Sequence, residues 1–336
     1  MPPPKPLALT MGEPAGIGGE LTLKAWLGRQ RLKTPFLVVG DPVHLRQLAR
    51  RLGWDVPVRV IDDAAEAGAV FDQALPVLAH PLIRAVEPGR PDAANTPAVL
   101  AFIARAVQLA QDGQVAAMVT NPINKAVLYQ GGFGFPGHTE YLAHLLGQDG
   151  QEVMMLACSA LKVVPVTIHQ SLASAIAGLN TDTIVHAGRI TAQALIRDFA
   201  IATPRLALAG LNPHAGEAGA MGHEDVDIIA PAVKRLQAEG INAVGPLPAD
   251  TMFHARARAE YDAALGMYHD QALIPIKTLD FDGGVNVTLG LAIIRTSPDH
   301  GTAFALAGTG QAVETSLMAA LDLAATMACN RSRFHG

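Results

Sequence analysis

Hydrophobic positions in this chain alternate between short unbroken apolar runs and longer stretches with helical periodicity. Leu7–Thr10, Phe36–Gly40 and Val58–Ile61 read as strands, with helices over Ile17–Gln30 and Val43–Gly53 between them. Asn95-Thr96-Pro97 predicts a helix start with Asn95 as N-cap and proline in the first turn. Val99, Phe102, Ile103, Ala106, Val107 and Ala110 then recur at helical spacing, and Val115–Thr120 follows as a strand. The Gly/Pro-rich stretch Gly131–Gly137 reads as a hinge or lobe junction. Beyond it, helices are predicted over Thr139–Leu146, Ile184–Asp198, Asp225–Ala238 and Ala312–Cys329. Strands are predicted over Val153–Ala157, Val163–Ile168, Leu206–Ala209, Ala243–Leu247 and Ala263–Tyr268. Unbroken apolar strands alternating with helices predict an α/β fold whose largely parallel sheet is covered on both faces.

Composition narrows the class. At roughly 100–200 residues per domain, 336 residues predict two lobes. Half the residues are hydrophobic and 16% are charged, which favours a packed enzyme over a disordered chain. The net charge of −5 argues against a general nucleic-acid binder. Cys158 and Cys329 are too few for a thiolate cluster or a disulfide framework, which fits a reducing compartment. The N-terminal stretch lacks a long apolar segment, and no run of about 18 apolar residues occurs, so a soluble, cytoplasmic chain without membrane contact is expected.

Three apolar runs end within a few residues of a histidine: VVPVTI before His169, LALAGLNP before His214 and AALGMY before His269. Ligands collect at the carboxyl ends of strands in open α/β sheets, so three imidazoles delivered there suit one divalent metal. Imidazole ligation favours Zn²⁺ or Co²⁺ over Ca²⁺, and three protein ligands leave a position open for substrate. The alternative for each is a hydrogen-bonded structural histidine.

Other segments offer anion chemistry. Gly137-His138-Thr139-Glu140 opens a predicted helix and supplies backbone N–H groups, a hydroxyl and an imidazole, as an anion site or an ordinary N-cap would. Lys277, Asn286 and Arg295 flank a Gly-Gly turn; they suit a phosphate cradle, or Lys277 ends the apolar run Ile274-Pro275-Ile276 as a solvated strand end. The glycine-rich Gly12–Gly19 fits neither the Walker pattern nor GxGxxG, so a structural turn is the default. His300-Gly301-Thr302 and Gly308-Thr309-Gly310 form a second glycine-rich region.

Long blocks in order along the chain carry a resemblance. They are TMGEPAGIGGE (Thr10–Glu20), TNPINK (Thr120–Lys125), GHTEYLA (Gly137–Ala143), NPHAGEAGAMGHED (Asn212–Asp225), GPLPADTMF (Gly245–Phe253) and YHDQALIPIKTLDFDGGVNVTLGL (Tyr268–Leu291). Over essentially its whole length the chain resembles the 4-hydroxythreonine-4-phosphate dehydrogenase family of pyridoxal 5′-phosphate synthesis. The resemblance implies a homodimer in which His169, His214 and His269 bind a divalent metal (Zn, Co or Mg) shared between subunits. It also implies that His138, Thr139, Lys277, Asn286 and Arg295 hold the substrate. HGTAFALAGTG (His300–Gly310) is similar to the cofactor loop of isocitrate and isopropylmalate dehydrogenases, which gives Gly301, Thr302, Gly308 and Gly310 to NAD or NADP. The implied architecture is two α/β/α lobes, 1–135 plus 298–336 and 136–297, with the active site in the inter-lobe cleft.

The implied reaction is NAD(P)-dependent oxidation of 4-phosphooxy-L-threonine to 2-amino-3-oxo-4-phosphooxybutanoate, which decarboxylates to 3-amino-2-oxopropyl phosphate. Asp250 is the candidate for orienting a metal histidine or relaying a proton, with a helix cap before Thr251 as its alternative. Three rivals stand beside this reading. One is a sister dehydrogenase acting on 4-phosphothreonate or 4-phosphoerythronate, another a metal-dependent lyase or aldolase without nucleotide, and the third a non-catalytic binding protein.

Overall fold

The structure is a computed structural model and describes residues 5–335; the outermost ends of the predicted first lobe, 1–4 and 336, lie outside it. In chain order the main elements begin β1 (Leu7–Thr10), α1 (Gly18–Leu27), β2 (Phe36–Gly40), α2 (Pro42–Leu52), β3 (Val58–Ile61), α3 (Ala67–Val70) and β4 (Leu75–Ala79). They continue with α4 (Thr96–Gln111), β5 (Ala117–Thr120), α5 (Lys125–Gln130), α6 (His138–Leu145), β6 (Val153–Ala157), β7 (Lys162–Pro165), α7 (Leu172–Gly178) and α8 (Thr181–Arg197). The rest are β8 (Arg205–Ala209), α9 (Ala230–Ala238), β9 (Asn242–Leu247), α10 (Ala255–Arg258), β10 (Ala263–Gly266), α11 (His269–Leu279), β11 (Val285–Leu289), β12 (Arg295–Pro298) and α12 (Thr315–His335).

The chain divides into two compact units. Unit 1 runs through Glu152 and resumes over Leu291–Cys329; unit 2 comprises Val153–Gly290 and resumes at Asn330. The Gly131–Gly137 stretch, read from sequence as a junction, therefore lies inside unit 1.

In unit 1 the strand order is β3-β4-β2-β1-β5-β12, every pair parallel. β1, β2 and β5 are buried at every position, as expected of strands covered on both faces, and partly exposed β3 forms the edge. α4 packs on this sheet through Val99, Phe102, Ile103, Ala106 and Val107, all buried. Residues 93–111 are long and apolar enough to cross a membrane, yet half of that span is buried here, as in a core helix. Asn95 does not cap α4. Its amide is drawn to the backbone of Arg84, and a preceding 3-10 turn, Ala93–Asn95, is capped by Asp92 instead. α2 follows simple capping chemistry: Asp41 accepts from the N–H groups of Val43 and His44, Pro42 fills the first turn, and Gly53 closes the helix at φ 68°.

In unit 2 the order is β11-β6-β7-β10-β8-β9. β7, β10, β8 and β9 run parallel, while β6 runs against both of its neighbours. Two expectations change here. Ile274-Pro275-Ile276-Lys277 is not a strand end; it lies on α11, where Ala272, Leu273 and Ile276 pack into a core with Leu156, Val163, Ala207 and Ala264. The helix over Asp225–Ala238 starts with a π turn, Asp225–Ile229. β4, β11 and β12 are additional strands, and the runs over 163–168 and 263–268 leave the sheet early, at Pro165 and Gly266.

Burial holds the imidazoles of His44, His80 and His300 below the ordinary histidine value; Asp41 opposes this at His44 and Arg105 adds to it at His80. Folded histidines with depressed pKa bind fewer protons than the unfolded chain once pH falls below about 6.5, so their stability contribution is present above that value and lost as pH drops. His44 is the most deeply seated, with its Nε2 buried and unpartnered. The fall in Tm between pH 7.5 and 5.5 is therefore expected to be smaller in His44→Gln than in the wild type; parallel curves would show that His44 does not titrate on unfolding.

Candidate active site

Unit 1 concentrates positive charge where β5 and β12 deliver side chains to the start of α6. Arg295, first residue of β12, is only 4% exposed, and its Nε and Nη2 donate to Thr120 Oγ1 at 3.1 and 2.7 Å. Burial pulls its pKa down to about 10, against the pull of Glu140, which leaves the guanidinium charged at neutral pH. His138 opens α6 after the extended Gly137, and Thr139 follows it, half-buried. His138 Nε2 is buried without a partner; burial, then Arg295 and Lys125, hold the ring well below the usual histidine range. A neutral imidazole and a buried cation at a helix N-terminus are groups that suit an anion. Thr120 and Lys125 bracket the TNPINK block and were not singled out from sequence, because a lysine opening a helix looks solvated.

Unit 2 carries the three histidines. They follow β7, β8 and β10, which lie side by side and parallel in the order β7-β10-β8, so all three sit beyond carboxyl ends on one sheet edge. His169 and His269 rings are 6.5 Å apart, in a cleft of about 560 Å³ lined also by Thr167, Tyr268 and Asp270. Asp270 Oδ1 lies 2.7 Å from His269 Nδ1, so Nε2 is the ring nitrogen that a metal could take.

His214 stands on a different footing. His214, Ala215, Gly216, Glu217 and Ala218 all adopt positive φ, between 41° and 75°, a left-handed turn that costs a non-glycine residue about 1–2 kcal/mol each. Buried Asp225 pins the entry to this turn, accepting from the N–H groups of Leu211 and Asn212 and from Asn212 Nδ2. Among the described residues no group of three His, Cys, Asp or Glu side chains is assembled to hold a metal. Two imidazoles on one ion at about 2.0–2.1 Å would bring their ring centres to roughly 5 Å, so the His169–His269 pair is open by comparison. The donor chemistry of His169 and His269 fits an imidazole-preferring divalent ion.

Asp250 lies on a 3-10 turn, Ala249–Thr251, lining a second cleft with Phe253, Tyr268, Asp270 and Ile274. The carboxylate hydrogen-bonded to His269 is that of Asp270, whose signal in the sequence was only its place directly after that histidine. Lys277 is on α11, half-buried and 5.8 Å from the Phe281 ring, and Asn286 is on β11. Both belong to unit 2, whereas Arg295 belongs to unit 1.

The 300–310 loop is in unit 1. Ile17 N–H donates to Thr302 O, and Gly308 and Gly310 take φ of 71° and 75°. Buried Glu20 accepts from the N–H groups of Gly308 and Ala312, while Lys24 donates to the carbonyls of Gly310 and Ala312. A Cβ at Gly301 would meet nothing within 4 Å, so a fixed loop presents open backbone there, which suits a nucleotide.

A model of the pyridoxal phosphate biosynthetic protein PdxA family matches residues 31–324. The chain is 54% identical to 4-hydroxythreonine-4-phosphate dehydrogenase of Bradyrhizobium diazoefficiens over 98% of each chain. It is 53% identical to the Caulobacter vibrioides protein of that name over 97% of this chain and 98% of that one. A crystal structure of the Klebsiella pneumoniae 4-hydroxythreonine-4-phosphate dehydrogenase matches with a TM-score of 0.87 at 40% identity, over 96% of this chain and 99% of that chain. A terephthalate 1,2-cis-dihydrodiol dehydrogenase from Burkholderia xenovorans matches at 0.66 and 31% identity, over 96% and 98%. In sequence and in α/β architecture, the chain belongs to the PdxA family of pyridoxal phosphate biosynthetic proteins.

Proposed function

We propose that this protein is an NAD(P)- and metal-dependent dehydrogenase that oxidises the secondary alcohol of 4-phosphooxy-L-threonine. The product, 2-amino-3-oxo-4-phosphooxybutanoate, is a 3-oxo acid that loses CO₂ to give 3-amino-2-oxopropyl phosphate. The observation that carries this reading is the buried, charged Arg295 beside His138 at the start of α6, in a chain of this family. Arg295 supplies planar, two-pronged recognition of phosphate, and Lys277, Asn286 and Thr139 complete its hold on the substrate. The neutral ring of His138 binds without adding charge, and this fixed framework orients the carbinol carbon.

His169, His214 and His269 would hold a divalent ion (Zn, Co or Mg), which would supply Lewis-acid chemistry, and the 300–310 loop would hold NAD or NADP, which would supply the oxidant. Asp270 fixes the tautomer of His269, and Asp250 orients groups at the neighbouring cleft or relays a proton. Gly301, Thr302, Gly308 and Gly310 present the loop backbone to the nucleotide. His169, His214 and His269 form a complete set only with a second copy of the chain, which makes the working unit a homodimer. α11 supports this, since Ile274 and Leu279, which line the Asp250 cleft, are exposed, as is Phe281 just beyond the helix. A sister activity on 4-phosphothreonate or 4-phosphoerythronate is the second reading, favoured by the family likeness to a protein named for a different diol substrate.

The deciding experiment is NADH or NADPH formation from a panel of phosphorylated hydroxy acids, with and without Zn²⁺, Co²⁺ or Mg²⁺. Turnover of 4-phosphooxy-L-threonine is expected to dominate, and no nucleotide reduction with any member would remove the reading. Chelation is expected to abolish turnover while leaving far-UV circular dichroism largely intact; full activity in metal-free protein contradicts it. Arg295→Ala is expected to raise KM for the phosphorylated substrate about 100-fold with KM for the nucleotide little changed. Equal effects on both would move Arg295 out of the phosphate site.

A further inference from the structure

Gly137, just before α6, sits between two opposite charges: a Cβ placed there would lie 3.2 Å from Glu140 Oε2 and 3.3 Å from Lys125 Nζ. Glu140 is on the first turn of α6, and Lys125 is the first residue of α5. Among the described residues, neither side chain is engaged in a hydrogen bond or an ion pair. Both are half-buried beside Arg295 and the sealed Nε2 of His138. This corner of unit 1 thus brings together two cations, one neutral imidazole and one carboxylate that is held by no hydrogen bond.

That carboxylate offsets part of the charge of buried Arg295, and in a site for anions it has a cost. It repels a phosphate or carboxyl group and weakens the attraction of Arg295 and Lys125 for either one. A ligand bearing its own positive group reverses the balance, because the ammonium pairs with Glu140 while the anionic ends take the two cations. A like-charge penalty for one ligand and an ion pair for another is how a site discriminates between near-isosteres.

We propose that Glu140 reads an ammonium group on the substrate and so sets a preference for amine-bearing over purely anionic phosphorylated hydroxy acids. Lys125 is the second cation that keeps the anionic end in place. The assignment rests on the reading of His138, Thr139 and Arg295 as substrate-binding residues, and it selects between the two substrate classes that reading leaves open.

The test compares full-length, metal-loaded wild type, Glu140→Gln, Glu140→Asp and Lys125→Gln on 4-phosphooxy-L-threonine and 4-phosphothreonate, which differ at the amine. Inorganic phosphate binding is measured alongside by calorimetry. Glu140→Gln is expected to lower kcat/KM for the amine substrate by about tenfold and to raise it for the amine-free one. It is also expected to bind phosphate several-fold more tightly, and Glu140→Asp to recover part of the preference. Lys125→Gln is expected to weaken both substrates and phosphate together. Equal changes for both substrates in Glu140→Gln would overturn the proposal while leaving the site reading intact. Arg295→Ala with unchanged phosphate affinity and unchanged KM for both substrates would remove the site reading, and the Glu140 assignment with it.

Discussion

A guanidinium taken out of water has to be compensated, and in unit 1 that requirement organises everything near the start of α6. Arg295 is fixed by its position at the first residue of a buried strand and by two hydrogen bonds to one threonine hydroxyl. A hydroxyl supplies geometry but no counter-charge. Glu140 supplies negative charge nearby, and His138 is held neutral first by burial and then by the nearby Arg295 and Lys125. A buried guanidinium beside a neutral imidazole suits a dianion.

Unit 2 solves a different problem, how to hold soft nitrogen donors at one edge. Parallel pairing places the carboxyl ends of β7, β10 and β8 together, and each run of chain beyond those ends carries a histidine. The three are not held alike. His269 lies at the start of a helix beside Asp270, whereas His214 rides on a left-handed turn held by Asp225. A strained turn persists only when its surroundings over-determine it, and here a buried carboxylate with three donors does so.

Much of this was legible in the sequence, for identifiable reasons. Strands buried on both faces have no polar face to blur them, so β1, β2, β5, β8 and β10 show as unbroken apolar runs, and the histidines after them stand out. The resemblance carried by the long blocks agrees with the family to which the chain belongs. What stayed hidden depends on tertiary context. Pro275 inside an apolar run imitates a strand end, and only the core beneath α11 turns it into a helix. Asn95 has the right residue type for a cap, but its amide is taken by Arg84. The turn at 214–218 has no local signature, because alanine and glutamate are not residues that choose positive φ. Lys125 and Glu140 look like ordinary helix-surface charges until Gly137 brings them to the same place.

The account is most exposed in where the phosphate lies. A crystal structure of the metal-loaded protein with 4-phosphooxy-L-threonine is the direct measurement. Phosphate oxygens within hydrogen-bonding distance of the Arg295 guanidinium are the predicted result. Clear density for the ligand with its phosphate away from the Arg295 guanidinium would contradict it.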